Sequence, residues 1–189
     1  MLPGDRLALY SAVIVELGMG DGRLLESLAR TDGQSLYIGI EIDDRQFGQA
    51  LSRISADNVT LIHGSFEQLV PTLPDGSIDR FMAVLPDPAF IDQTKYDSWK
   101  HFYSQLYKKL KQGGTFQLVT ELTDELMQAV SDEYYENWVK WLKNVFATMG
   151  FSLAGSLLGA PAEYSSRCLD QFRGDSERIR MVTLNFCKP

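Results

Sequence analysis

Residues 15–22 read "VELGMGDG". Three glycines fall within five positions, directly after the apolar run Ala12–Val15. Glycine reaches backbone conformations closed to other residues, so the cluster predicts a sharp turn where the main chain approaches a ligand. Leu24, Leu25 and Leu28 follow at helical spacing. The turn is therefore a strand-to-helix junction, the first in the chain. In open α/β sheets, ligands lie beyond the carboxyl ends of the strands, at the point where strand order reverses.

The same alternation runs outward from this turn. Strands are predicted at 12–17, 35–42, 58–64, 78–85 and 115–121, with two closing strands in "FSLAGSLLG" (151–159) and "RIRMVTLNF" (178–186). Helical patterns occupy 24–31, 43–54, 66–70, 97–111 and a long stretch over about 122–149. Trp99, Trp138 and Trp141 fall at core spacings in these helices. Repeated strand–helix–strand units imply a parallel sheet with helices on both faces. The closing strands show no helix between them, which predicts an antiparallel strand at the sheet's edge. "GAPAEYSSR" (159–167) is the one long connection with the character of a functional loop.

With 189 residues the chain suits a single domain over 1–189. Its 44% apolar and 23% charged content is that of an ordinary globular protein. No run of eighteen apolar residues is present, so no membrane span is expected. The first ten residues lack the pattern of a secretion signal, and a reducing cytoplasm is the expected compartment. Cys168 and Cys187 lack metal-ligand spacing, so neither a zinc site nor a disulfide framework is expected. The net charge of −7 weighs against a nucleic-acid partner. Residues 95–111, however, carry five lysines against one aspartate, either a solvated helix face or an RNA-contacting patch. Monomer and homodimer both remain open.

The acids around the glycine turn narrow the ligand. Glu41 lies 19 residues beyond Gly22, where a carboxylate can accept from both hydroxyls of a ribose. The turn reads GxGxG, with Asp21 where a dinucleotide's phosphates would come, and a carboxylate repels a diphosphate. Glu16 and Asp21 suit instead a ligand with an ammonium or sulfonium group, which favours S-adenosylmethionine over a nicotinamide dinucleotide. Glu16 as a satisfied strand-end acid and Asp21 as a helix cap are the plain alternatives.

"VELGMGDG" and "YIGIEID" (37–43) resemble the first two motifs of the class I S-adenosylmethionine-dependent methyltransferases. The succession "SIDRFMAVLPDPAF", "FYSQLYKKLKQGGTFQLVTE" and "AEYSSR" resembles, in order and spacing, the tRNA (guanine-N7)-methyltransferase family, from about residue 13 to 183. The resemblance implies a Rossmann-like, mostly parallel seven-stranded sheet with an antiparallel final strand. It gives Glu16, Gly18, Met19 and Gly20 to the methionine part of the cofactor, Glu41 to the ribose and Ile42 to the adenine. Ser65, beside Phe66, stands where the family has an acid for the adenine amino group. Asp87 in "LPDP" matches an acid at the mouth of the site and is the candidate catalytic residue.

Departures fall on the nucleic-acid side. The family's proline–tryptophan and basic cluster after Asp87 is replaced by "AFIDQTKY", with Lys95 a few residues on. Glu121 stands for an aspartate, and the late Thr-x-Tyr-Glu becomes Ala162, Glu163, Tyr164 and Ser165. A basic N-terminal arm of the family's kind is not expected, since the first strand begins about a dozen residues in. The resemblance thus implies Lys95, Glu121, Glu163 and Tyr164 as substrate contacts, with Tyr164 stacking on or bonding a flipped base, and tRNA as partner. A small-molecule or protein acceptor and a non-catalytic binding module are the alternatives. The ribosomal-RNA methyltransferases of aminoglycoside resistance share a similar glycine motif, but "LPDP" fits them less well.

Overall fold

The structure is a computed structural model that describes residues 9–124 and 126–189. Residues 1–8, on which the reading of the N-terminus falls, lie outside the described residues, as does residue 125. In chain order the elements are β1 (Ala12–Leu17), α1 (Arg23–Thr31), β2 (Ser35–Glu41), α2 (Asp44–Arg53), β3 (Val59–His63), α3 (Phe66–Leu69) and β4 (Ile78–Val84). They continue with α4 (Tyr96–Lys109), β5 (Leu110–Thr123), α5 (Asp132–Thr148), β6 (Ser152–Leu158), α6 (Arg167–Arg173) and β7 (Ile179–Cys187). The seven strands form one sheet in the order β3-β2-β1-β4-β5-β7-β6. Neighbours are parallel from β3 to β5, and β7 is antiparallel to both β5 and β6. Among the described residues no helix is long and apolar enough to cross a membrane.

Strand residues alternate between two helical layers. Val13, Val15 and Leu17 of β1 join a core with α4 and α5, where Trp99, Tyr103, Leu142 and Phe146 meet Phe116 and Phe186 of the sheet. Its aromatic rings pack with centroids such as 4.6 Å for Phe146–Phe186 and 4.9 Å for Tyr103–Phe146. Trp99 and Trp138 are buried, as the helical spacing predicts. Ile14 faces the other layer, where Leu24, Leu25, Ala50 and Leu169 from α1, α2 and α6 cover the sheet. Glu16 points to this second side by the same alternation.

Three predicted elements change. The helix over 122–149 begins only at Asp132, because β5 pairs with β7 out to Thr123↔Ile179 and Ser131 caps the helix by accepting from the Tyr134 N–H at 3.2 Å. The antiparallel final strand is not at the edge: β7 inserts between β5 and β6, and β6 is the outer strand. A helix, α6, does separate the two closing strands. It was legible in "SSRCLDQF": Ser166 Oγ accepts from the Leu169 N–H at 3.2 Å, and Leu169 is fully buried.

Candidate cofactor and active site

The carboxyl ends of β1, β2, β4 and β5 lie along one edge, and order reverses between β1 and β4. The glycine turn sits there. Gly18, Gly20 and Gly22 have φ of 71°, 57° and 75°, the left-handed region, which explains three glycines in five positions. A Cβ added at Gly20 would meet nothing within 4 Å, so its main chain borders open space. Gly39 of β2 has the opposite environment: a Cβ there would strike Met19 and Leu25, so this glycine seats the turn against the sheet. Sequence reading missed Gly39, because the reason for it is a contact across two elements.

Two adjoining cavities open beside the turn. One of 390 Å³ is bordered by Gly20, Glu41, Asp43, Arg45, Gln46, Gln49 and Arg167. A smaller one of 100 Å³ holds Glu16, Gly18, Met19 and Gly20 against Leu85 of the β4 end and Ser166, Arg167 and Cys168 of the α6 start. The structure thus brings together Glu16, Gly18, Met19, Gly20 and Glu41. It adds Leu85, Ser166 and Arg167, which the sequence reading did not mark. Leu85 has φ 53°, a left-handed conformation that non-glycine residues rarely hold, fixed by its N–H donating to the Val119 carbonyl at 2.8 Å.

Glu16 is 2% exposed, and its Oε2 has no hydrogen-bond partner. Burial, with the charges of Asp21 and Glu41, pushes its carboxyl up to about 8. An unpaired buried acid is costly unless a cation joins it. Asp21 does not share this role, contrary to its reading as a partner for a ligand cation. Its carboxylate holds Arg23 at 2.7 Å and lies 3.7 Å from Arg53, so its charge is already met. Glu41 is buried and accepts the N–H groups of Gly20 (2.9 Å), Ile42 (2.9 Å) and Asp43 (2.8 Å). It clamps the glycine turn to the end of β2 and keeps lone pairs for a further donor.

The adenine-side candidates lie next in order. Ile42 is 66% exposed, a large apolar surface beside Glu41. The Ser65 side chain makes no cap bond to α3. Phe66 packs on Phe90 and Phe102, with its ring edge 4.0 Å from where a Cβ on Gly18 would stand. Asp87 is exposed after β4, with Oδ1 accepting from the Ala89 N–H at 2.8 Å. Burial first, then the charge of Asp87, pushes Glu121 up to about 7, and its Oε2 is buried without a partner. Glu163 is exposed on the late loop.

Tyr164 is not placed to stack on a base. It is buried, its hydroxyl donates to Gln117 Oε1 at 2.6 Å, and Arg80 Nη2 donates to that hydroxyl at 3.2 Å. Arg173 donates to the carbonyls of Tyr164 and Pro161 at 2.7 and 2.5 Å. These bonds pin the late loop onto the sheet. Tyr164→Phe is expected to lower stability by about 1 kcal/mol in urea unfolding, the loss of one buried hydrogen bond. Lys95 is exposed and paired with Asp92 at 3.3 Å. Three more lysines of that segment are also met by acids: Lys100 by Asp97 (2.5 Å), Lys109 by Asp75 (2.6 Å) and Lys111 by Asp79 (2.7 Å).

The chain is similar to the tRNA (guanine-N(7)-)-methyltransferase of Cronobacter sakazakii, 28% identical over 150 residues, covering 71% of this chain and 62% of that protein. It is similar to the enzyme of the same description from Nitrosococcus oceani, 31% identical over 136 residues, covering 64% of this chain and 55% of that protein. The chain thus matches over somewhat more than half the length of these relatives. Among solved structures, the 16S rRNA methyltransferase KamB superposes with a TM-score of 0.73 at 16% identity, covering 98% of this chain and 92% of that one. The 16S rRNA (adenine(1408)-N(1))-methyltransferase of Catenulisporales acidiphilia, solved with its cosubstrate SAM, gives 0.69 at 17% identity, covering 97% and 88%. These two matches establish the fold. A family model described as "Putative methyltransferase" matches residues 11–147, most of the chain, and the chain belongs to that methyltransferase family.

Proposed function

We propose that this protein is a cytoplasmic S-adenosylmethionine-dependent methyltransferase acting on a purine of RNA, of the tRNA guanine-N7 kind. The observation that carries the cofactor is the unpartnered, buried Oε2 of Glu16 beside an open glycine turn. That acid fits an ammonium, the open main chain at Gly20 fits an elongated ligand, and Glu41 fits a ribose. When bound, S-adenosylmethionine supplies a methyl group on a sulfonium, ready for in-line substitution. Ile42 and Phe66 flank the adenine, and the free Ser65 hydroxyl accepts from its amino group.

On the acceptor side, Asp87 and Glu121 orient the purine by accepting from its ring N–H and exocyclic amine. Guanine N7 needs no strong base, so positioning and exclusion of water carry the rate. Glu121 accepts through both oxygens, and as a charged acceptor, only when ionised, and its carboxyl lies at about 7. Activity is therefore expected to rise with pH through about 7 and to level off above it. The deciding experiment incubates the protein with labelled S-adenosylmethionine and total tRNA, then identifies the product nucleoside by mass spectrometry. Label in 7-methylguanosine is the expected result, and unlabelled tRNA overturns the RNA reading. The ion-paired lysines of 95–111, on a chain of net charge −7, favour a second reading with a small-molecule or protein acceptor.

A further inference from the structure

The cofactor's amino-acid end is a zwitterion, and Glu16 answers only one of its charges. The carboxylate needs a cation. Four arginines surround the glycine turn. Arg23 is held by Asp21 at 2.7 Å and lies 3.6 Å from Asp170. Arg53 donates to the Asp21 carbonyl at 3.1 Å and sits 3.7 Å from its carboxylate. Both are committed. Arg45 and Arg167 form no side-chain ion pair among the described residues.

These two differ in what they border. Arg45 borders the outer cleft with Glu41 and Asp43 but not the inner pocket. Arg167 borders that cleft and also the inner pocket that contains Glu16. Its backbone is fixed from both sides: Tyr164 is buried three residues before it, and Ser166 caps the helix that it begins. An exposed guanidinium on a pinned backbone is preorganised for a planar carboxylate.

We propose that Arg167 binds the carboxylate of the cofactor's amino-acid end while Glu16 takes its ammonium, so that the pocket reads both charges of one ligand. The inference rests on the cofactor reading above. It makes Arg167 a specificity residue, selecting the complete amino-acid tail over decarboxylated or truncated adenosine thioethers.

Calorimetry with two probes tests it on the full chain. S-adenosylhomocysteine carries the zwitterion, and 5′-methylthioadenosine has the same nucleoside without it. Arg167→Met is expected to weaken S-adenosylhomocysteine roughly 10–100-fold, the range for a lost hydrogen bond to a charged group. It should leave methylthioadenosine within about twofold, and Arg167→Lys should retain part of the difference, since an ammonium keeps the charge but not the fork. Unchanged S-adenosylhomocysteine affinity overturns the proposal, as does equal loss of both probes, which would mean that Arg167 shapes the pocket. Wild-type protein that binds both probes equally overturns it alone. Wild-type protein that binds neither overturns the cofactor reading as well.

Discussion

Glu16→Gln is expected to raise the stability of the ligand-free protein above pH 8 and to remove most of its cofactor affinity. The folded carboxyl titrates at about 8, above its ordinary value of 4.5. Between these two pH values the unfolded chain has lost the proton that the folded one retains. Stability therefore falls as pH rises through this window; below it Glu16 costs nothing, and above it the full loss persists with no further slope. The amide carries no charge to bury, so the variant lacks this slope, a gain on the order of 5 kcal/mol at the alkaline end. Cofactor binding behaves in the opposite sense. An ammonium favours ionised Glu16, so wild-type affinity should climb with pH, by up to about tenfold per unit, until about pH 8. The variant should bind S-adenosylhomocysteine at least about a hundredfold more weakly, with no such climb. Thermal unfolding across this pH range and calorimetry check the two halves. A variant less stable than wild type at high pH would mean that the carboxylate has an internal partner.

Glu41→Ala should lose on both counts. Three N–H groups, of Gly20, Ile42 and Asp43, give up their acceptor. A loss of about 2–4 kcal/mol in urea unfolding is expected, because water can replace only the exposed partners. Affinity for methylthioadenosine should fall by about 1–3 kcal/mol as the ribose hydroxyls lose their acceptor. A folded variant with unchanged affinity for this probe would remove the sugar from the end of β2. The acid is thus a clamp for the turn as well as a ligand contact, and the first role exists without any ligand.

The division between what could and could not be read in advance follows sequence distance. The glycine turn, Glu41 and the alternating strands are local patterns, each set by residues within one or two elements. The parallel sheet follows from them. What the pattern concealed were pairings across the chain. Asp21 reads as a partner for a ligand cation until Arg23 and, from α2, Arg53 are folded beside it. Tyr164 reads as a loop aromatic for a flipped base until Gln117 and Arg80 take its hydroxyl from 47 and 84 residues away. The lysines of 95–111 look like an open basic face until Asp75 and Asp79 reach Lys109 and Lys111. Leu85 gave no signal, because a residue before proline is ordinarily extended. Arg167 was present in the quoted motif "AEYSSR", yet only the covering of the glycine turn by α6 gives it a purpose.

The insertion of β7 between β5 and β6 bears on how the chain folds during synthesis. Of the seven strands, β7 is the last to leave the ribosome, and it hydrogen-bonds on both sides. Until it arrives, β5 has one bare edge and the uncharged segment "SLAGSLL" of β6 has no strand to pair with. A ribosome paused before residue 179 therefore holds a half-zipped domain, with two sticky ribbons waiting for the same nine residues.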